Sequence, residues 1–201
     1  MNADSKGNFL IGRVALALFL LLVIGMAAAI GVRLYRGAGG LPAPPVEEGG
    51  APTGRQMAYD WPVRDLQGEP FDLESTRGKA VFLNFWATWC PPCAREMPAI
   101  QRLYDQLKAE PDVAFLVVAY DRPDAVRAFV EDMELTMPIY TTTGPIPQGL
   151  VPEAVPTTYV VSPEGEVVFE HVGAAAWDAP QVAEFIRKVA ASAPEGGEGD
   201  G

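Results

Sequence analysis

The chain has two cysteines, and they lie three apart in Trp89-Cys90-Pro91-Pro92-Cys93. That spacing brings two sulfurs together in the first turn of a helix. They can close a disulfide or stand open as a dithiol. With no third cysteine, a scaffold of several bridges is excluded, and the pair reads as a redox couple acting on other molecules. A helix start carries partial positive charge and unpaired N–H groups, which favour a thiolate on Cys90 and make it the attacking sulfur. Cys93, one turn further in, is the buried partner that attacks the mixed disulfide and releases the substrate.

The two prolines temper this activation. Neither Pro91 nor Pro92 has an N–H, so the Cys93 N–H is the nearest donor to a Cys90 thiolate from within the turn. The expected depression of the Cys90 pKa is moderate, and a weakly stabilised reduced form makes a reducing couple. A zinc site would need four ligands. There is no second cysteine pair, and the single histidine, His171, is distant in sequence and receives no role. No metal or other cofactor is expected.

The elements that must hold the sulfurs follow from the apolar pattern. Ala80–Trp86 is nearly all apolar, as befits a buried central strand. Pro91–Ala109 has Met97, Ile100, Leu103, Tyr104 and Leu107 at helical spacing, with prolines where a helix start tolerates them. Pro98 removes a donor inside this helix and should bend it. Val113–Ala119 is a second buried strand, Asp124–Glu134 a helix, and Met137–Thr141 a short strand. Gly144–Glu153 is a connection. Thr157–Val161 and Glu166–Val172 form a hairpin across Ser162-Pro163-Glu164-Gly165. A last helix is predicted from Asp178, as N-cap, to Ala191. Ahead of all these, Trp61–Leu66 and Pro70–Leu73 flank Gln67-Gly68-Glu69 as a hairpin. The fold class is α/β, with a mixed central sheet flanked by helices and an N-terminal hairpin extension.

Outside the domain the composition changes. Residues 1–13 are a short polar start. An uncharged apolar run of 19 residues, Val14–Val32, sits within 14–34 and is long enough at ~1.5 Å per residue to cross a ~30 Å hydrocarbon layer. It reads as a transmembrane helix contacting lipid through 14–32, with a cleaved signal peptide as the rival. Residues 35–57 are rich in Gly, Pro and Ala and read as a flexible tether with nothing to form a core. The domain is 58–192, and 193–201 is an acidic, solvated tail. Net charge is -11; residues 1–40 carry +3, so the rest carries -14. An acidic soluble part argues against nucleic acid, whose phosphates need clustered Lys and Arg.

The run Phe82-Leu83-Asn84-Phe85-Trp86-Ala87-Thr88-Trp89-Cys90-Pro91-Pro92-Cys93-Ala94-Arg95-Glu96-Met97-Pro98 resembles a thioredoxin fold. More narrowly it resembles the TlpA/ResA-like family of membrane-anchored thiol–disulfide oxidoreductases, over roughly Trp61 to Val189. The resemblance implies several roles. In Val155-Pro156-Thr157-Thr158, Pro156 is expected to be cis against the sulfurs, and Val155 to offer backbone groups to an extended substrate. Trp89 would form the rim over Cys90. Glu96 matches an acidic residue near the cysteines and shares the helical face of Cys93. Asn84 stands where thioredoxin has a buried aspartate; Asn takes up no proton, so the base serving Cys93 becomes Glu96 or water.

The implied activity is a protein disulfide reductase on the outer face of a bacterial cytoplasmic (inner) membrane. Its partners would be disulfide-containing proteins, apocytochrome c among them, and a membrane electron donor of the CcdA or DsbD type. The alternatives are a disulfide oxidase or isomerase, a thiol peroxidase, and a non-enzymatic binding module.

Overall fold

A computed structural model describes residues 40–46 and 53–192, together with Phe19, Leu22 and Met26. Those three are helical and exposed. The remainder of the apolar run 14–32 and the tail 193–201 lie outside the described residues. No helix among the described residues is long and apolar enough to cross a membrane.

The domain is a seven-stranded sheet with strands β1 (Val63–Asp65), β2 (Pro70–Phe71), β3 (Ala80–Trp86), β4 (Val113–Ala119), β5 (Ile139–Thr142), β6 (Thr157–Val161) and β7 (Val167–Val172). Their spatial order is β2-β1-β5-β4-β3-β6-β7. Helices α1 (Pro91–Leu107), α2 (Pro123–Asp132) and α3 (Pro180–Ala190) complete it. β3 pairs parallel with β4 and antiparallel with β6, and β4 pairs parallel with β5. The sheet is therefore mixed, as the alternation of elements predicts. Every residue of β3 is buried, which its uninterrupted apolar run requires of a strand covered on both faces.

The strand pleat sends alternate residues to opposite faces. Phe82 and Trp86 join a core built from α1, α2 and α3, whereas Val81, Leu83 and Phe85 join a second core. All three helices thus contribute to the same core. The second is closed by Met57, Tyr59 and Trp61, by Leu73 in a short 3-10 turn, and by Leu150 in another. Helices flank the sheet on one side, and irregular chain covers the other.

Four expectations need correction. The hairpin is shorter than predicted, and β1 also pairs antiparallel with β5, which makes it part of the main sheet. Trp61 lies before it, buried, with its indole N–H on the Ala58 carbonyl at 3.1 Å. Asp178 does not cap the last helix. Pro180, with φ fixed in the helical range, sets the first turn after Ala179, and the Asp178 carboxylate instead accepts from Arg102 of α1 at 2.7 Å.

The 35–57 segment is no free tether where it is described. Val46 is 2% exposed within the helix-side core. Pro44 is buried, and the Pro42 carbonyl accepts from the Ala176 N–H at 2.8 Å. Residues 53–57 bond to the β6–β7 hairpin through Thr53 to Val167, Val167 to Arg55, and Met57 to Gly165. Proline forbids regular structure here but not docking.

Candidate active site

The strand register assembles the site. β3 ends at Trp86 and the antiparallel β6 begins at Thr157, with Asn84 opposite Thr158 and Phe85 opposite Thr157. The loop leaving β3 and the loop entering β6 therefore meet at one end of the sheet, between two interior strands. The first carries Cys90; the second carries the Val155–Pro156 bond, which is cis as the resemblance implies.

Cys90 is the N-cap of α1 in extended conformation, with prolines in the first two helical positions. Its carbonyl accepts from Ala94, and Cys90 Sγ accepts from the Cys93 N–H at 3.2 Å. The anticipated single donor within the turn is therefore present. Cys90 and Cys93 form a disulfide with Cα atoms 5.2 Å apart. The Val155 carbonyl oxygen stands 3.5 Å from Cys90 Sγ. A carbonyl there repels a thiolate and can accept from a thiol, so it works against the helix end. Cys93 is wholly buried and Cys90 nearly so, while Trp89 is 70% exposed beside them.

The turn 87–90 closes with Cys90 N on Ala87 O. Asp121, just past the end of β4, accepts from the Thr88 N–H at 2.7 Å and so fixes the approach to Cys90. Sequence reasoning passed over Asp121. The usable signal was its place beyond the carboxyl end of a central parallel strand, where α/β sheets put their sites.

Glu96 forms the floor. It is fully buried, on the α1 face that also carries Cys93. Asn84 Nδ2 donates to Glu96 Oε1 at 2.9 Å and to Thr158 Oγ1 at 2.8 Å. Trp177 Nε1 and the Ala175 N–H donate to Glu96 Oε2 at 2.8 and 3.2 Å. Burial pushes the carboxyl up to about 7, against the lowering pull of those three donors. The group is thus neither firmly charged nor firmly neutral near neutral pH.

Trp177 is the main residue the sequence did not reveal. It is fully buried, 81 residues from Glu96 in sequence, and packs edge-on against Phe82 at 5.3 Å. Nothing in its local sequence marks it as a donor to the site. His171, assigned no role, stacks edge-on with Trp177 at 5.6 Å, and burial lowers its pKa. Among the described residues no cluster of three or more potential metal ligands occurs.

Chemically, the arrangement offers a disulfide that can open to a dithiol, with one sulfur almost and the other wholly buried, a carbonyl oxygen beside the first, and a buried carboxyl able to take up a proton. The chain is similar to several known proteins. The model of the AhpC/TSA family matches residues 55–170. A thiol-disulfide oxidoreductase ResA from Bacillus thuringiensis subsp. konkukian is 32% identical over 188 residues, covering 92% of this chain and 98% of its own. Another ResA, from Halalkalibacterium halodurans, is 38% identical over 120 residues, covering 59% of this chain and 68% of its own. Among solved structures, a thioredoxin-family thiol:disulfide interchange protein from Chlorobium tepidum superimposes with a TM-score of 0.55. It is 23% identical and covers 70% of this chain and 99% of its own.

Proposed function

Since the chain belongs to the AhpC/TSA family and, within it, to the ResA-like thiol–disulfide oxidoreductases, we propose that its direction of work is reduction of disulfides in other proteins. The observation that carries this is the sparse set of donors around Cys90 Sγ. One N–H from within the turn reaches the sulfur, and a carbonyl oxygen faces it at 3.5 Å. Strong oxidases stabilise their reduced form; this site has little with which to do so.

The reaction runs in two exchanges. The Cys90 thiolate attacks a substrate disulfide, forming a mixed disulfide and expelling one substrate thiolate. Cys93 then gives its proton to Glu96 and attacks Cys90 Sγ. The second substrate thiolate leaves, takes up a proton, and the Cys90–Cys93 bridge remains. Two electrons pass to the substrate. Asn84, Ala175 and Trp177 hold the Glu96 carboxyl in place, and its value near 7 suits it to take and return a proton. The Val155 backbone docks an extended client beside Pro156.

The same reading places the domain outside the cytoplasm, anchored by the 14–32 run in a bacterial cytoplasmic membrane. An oxidising compartment makes a reducing dithiol depend on an electron supply. A membrane donor of the CcdA or DsbD type would re-reduce the bridge, and apocytochrome c, with its paired haem-binding cysteines, is the proposed client. A lone peroxidatic cysteine is the usual mark of a thiol peroxidase, and here both cysteines are joined to each other.

Equilibration of the full chain against glutathione tests the direction. The expected potential lies below about -200 mV, on the thioredoxin side of the scale. A value near that of DsbA, about -120 mV, would make the protein an oxidase instead.

A further inference from the structure

The floor of the site is held by a loop, and that loop is held by a segment remote from it in sequence. Ala175 and Trp177 supply two of the three donors to Glu96. Between them, the Ala176 N–H turns the other way and donates to the Pro42 carbonyl at 2.8 Å. From that anchor the chain runs to Pro44, buried, and to Val46, which is 2% exposed. Val46 belongs to the core cluster that contains Cys90, Cys93 and Trp177. Residues 41–46 carry no charge.

We propose that segment 41–46 is a positioning element of the redox site: it clamps the 175–177 loop onto Glu96 and, through Val46, keeps water from the carboxylate and from Cys93. This rests on Glu96 as the proton acceptor for Cys93. The backbone bond at Ala176 fixes which way the two flanking N–H groups point. Burial of Val46 and Pro44 closes the apolar side. Without the clamp the loop keeps its Trp177 packing, the Gly173 bond to Pro156 and the Arg102–Asp178 pair, but loses the bond that orients Ala176, and water reaches the carboxyl.

The groups facing Glu96 are few. Cys93 lies on its own helix. Asn84 on β3 and Thr158 on β6 are uncharged. His171 of β7 stands behind the Trp177 ring, and the Arg102–Asp178 ion pair lies just beyond the loop. None of these belongs to 41–46, so a change in that segment alters solvation without adding or removing a charge.

The test uses the full-length chain with Val46→Asn, the milder Val46→Ala, and Val46→Ile as the conservative control. Two readouts are taken on each folded variant. One is the titration of the Glu96 carboxyl in the oxidised protein, followed by carbon NMR. The other is the pH profile of substrate release from the Cys90 mixed disulfide. With solvent admitted, Val46→Asn should lower the Glu96 midpoint by about one pH unit or more, toward the ordinary glutamate value of ~4.3. Val46→Ala should shift it in the same direction by less, and Val46→Ile should restore the parent value. An unchanged midpoint in Val46→Asn overturns the proposal; if that variant does not fold, an unchanged midpoint in Val46→Ala does so. Should the carboxyl midpoint move while the release profile stays put, the clamp stands and the role of Glu96 in proton transfer falls.

Discussion

The mouth and the floor of this site sit within seven residues of each other and obey opposite physics. At the mouth, Trp89 precedes the attacking sulfur and is 70% exposed. At the floor, Glu96 follows the resolving sulfur and is fully buried, with three donors on its carboxylate. The mouth combines one local turn, 87–90, with the Asp121 carboxylate and the Val155 carbonyl, 33 and 65 residues from the groups they face. The floor is held by groups 12, 79 and 81 residues away. Recognition of a large partner needs exposed surface, whereas moving a proton near neutral pH needs a carboxyl taken out of water. Dividing the two jobs between the start of α1 and a position nearly two turns further along lets each vary without the other.

The sharpest way to split them is to remove the resolving sulfur. Cys93→Ser leaves the mouth intact, so Cys90 should still attack a client disulfide. The second exchange cannot follow, and the mixed disulfide should persist. Turnover in insulin reduction with dithiothreitol should disappear, while a covalent client adduct accumulates on a non-reducing gel. Turnover at the parent rate would mean that Cys93 is dispensable and that the two-step scheme is wrong.

Glu96→Gln tests the floor alone. Release of substrate from the Cys90 mixed disulfide should slow about 100-fold, the low end of the usual range for a lost acid–base group. The substitution also bears on stability. The folded carboxyl titrates at about 7 against an ordinary 4.5. Between those values the folded protein keeps a proton that the unfolded chain has released. Stability is therefore full below 4.5 and declines as pH rises to 7, by about 3 kcal/mol in all. Denaturant midpoints of the parent across this range should fall with pH, and those of Glu96→Gln should show a much flatter trend. A parallel decline in both would mean that another group sets the slope.

The comparison also explains what the sequence could and could not disclose. β4 and β6 run as predicted, Val113–Ala119 and Thr157–Val161, because the first is a short apolar run and the second is rich in β-branched and aromatic residues, both bounded by turn residues. Cys90, its proline-laden helix start and the Cys93 donor are local, so they are legible from spacing. The cis Val155–Pro156 bond came from the family resemblance, since an X–Pro bond carries no local mark of its isomer. The floor is not local. Glu96 could be placed on the Cys93 face of the helix, but its burial depends on Trp177 and the 175–177 loop, which no periodicity ties to it. Residues 41–46 misled for a related reason. A Pro-rich composition rules out helix and strand, yet says nothing about whether Val46 finds a core elsewhere in the chain. Asp178 looked like a helix cap on residue type alone; Arg102, 76 residues distant, claimed its carboxylate instead.

The smallest expected effect belongs to the mouth, and it is the most discriminating of the three. Trp89 is mostly in solvent, so truncation to alanine removes little buried area and should change stability by no more than about 0.5 kcal/mol, as is usual for exposed positions. Aromatic side chains, Trp above all, are enriched among the interface residues whose truncation weakens binding by more than about 1 kcal/mol. Trp89→Ala should therefore raise KM for a protein disulfide roughly tenfold, equivalent to about 1.4 kcal/mol. Nothing about Glu96 changes in this variant, so kcat and the pH midpoint near 7 should stay at the parent values. Steady-state kinetics with a folded client across pH 5 to 9 separates the cases. If the midpoint moves with Trp89, then the rim controls the solvation of the floor, and the division between mouth and floor does not hold.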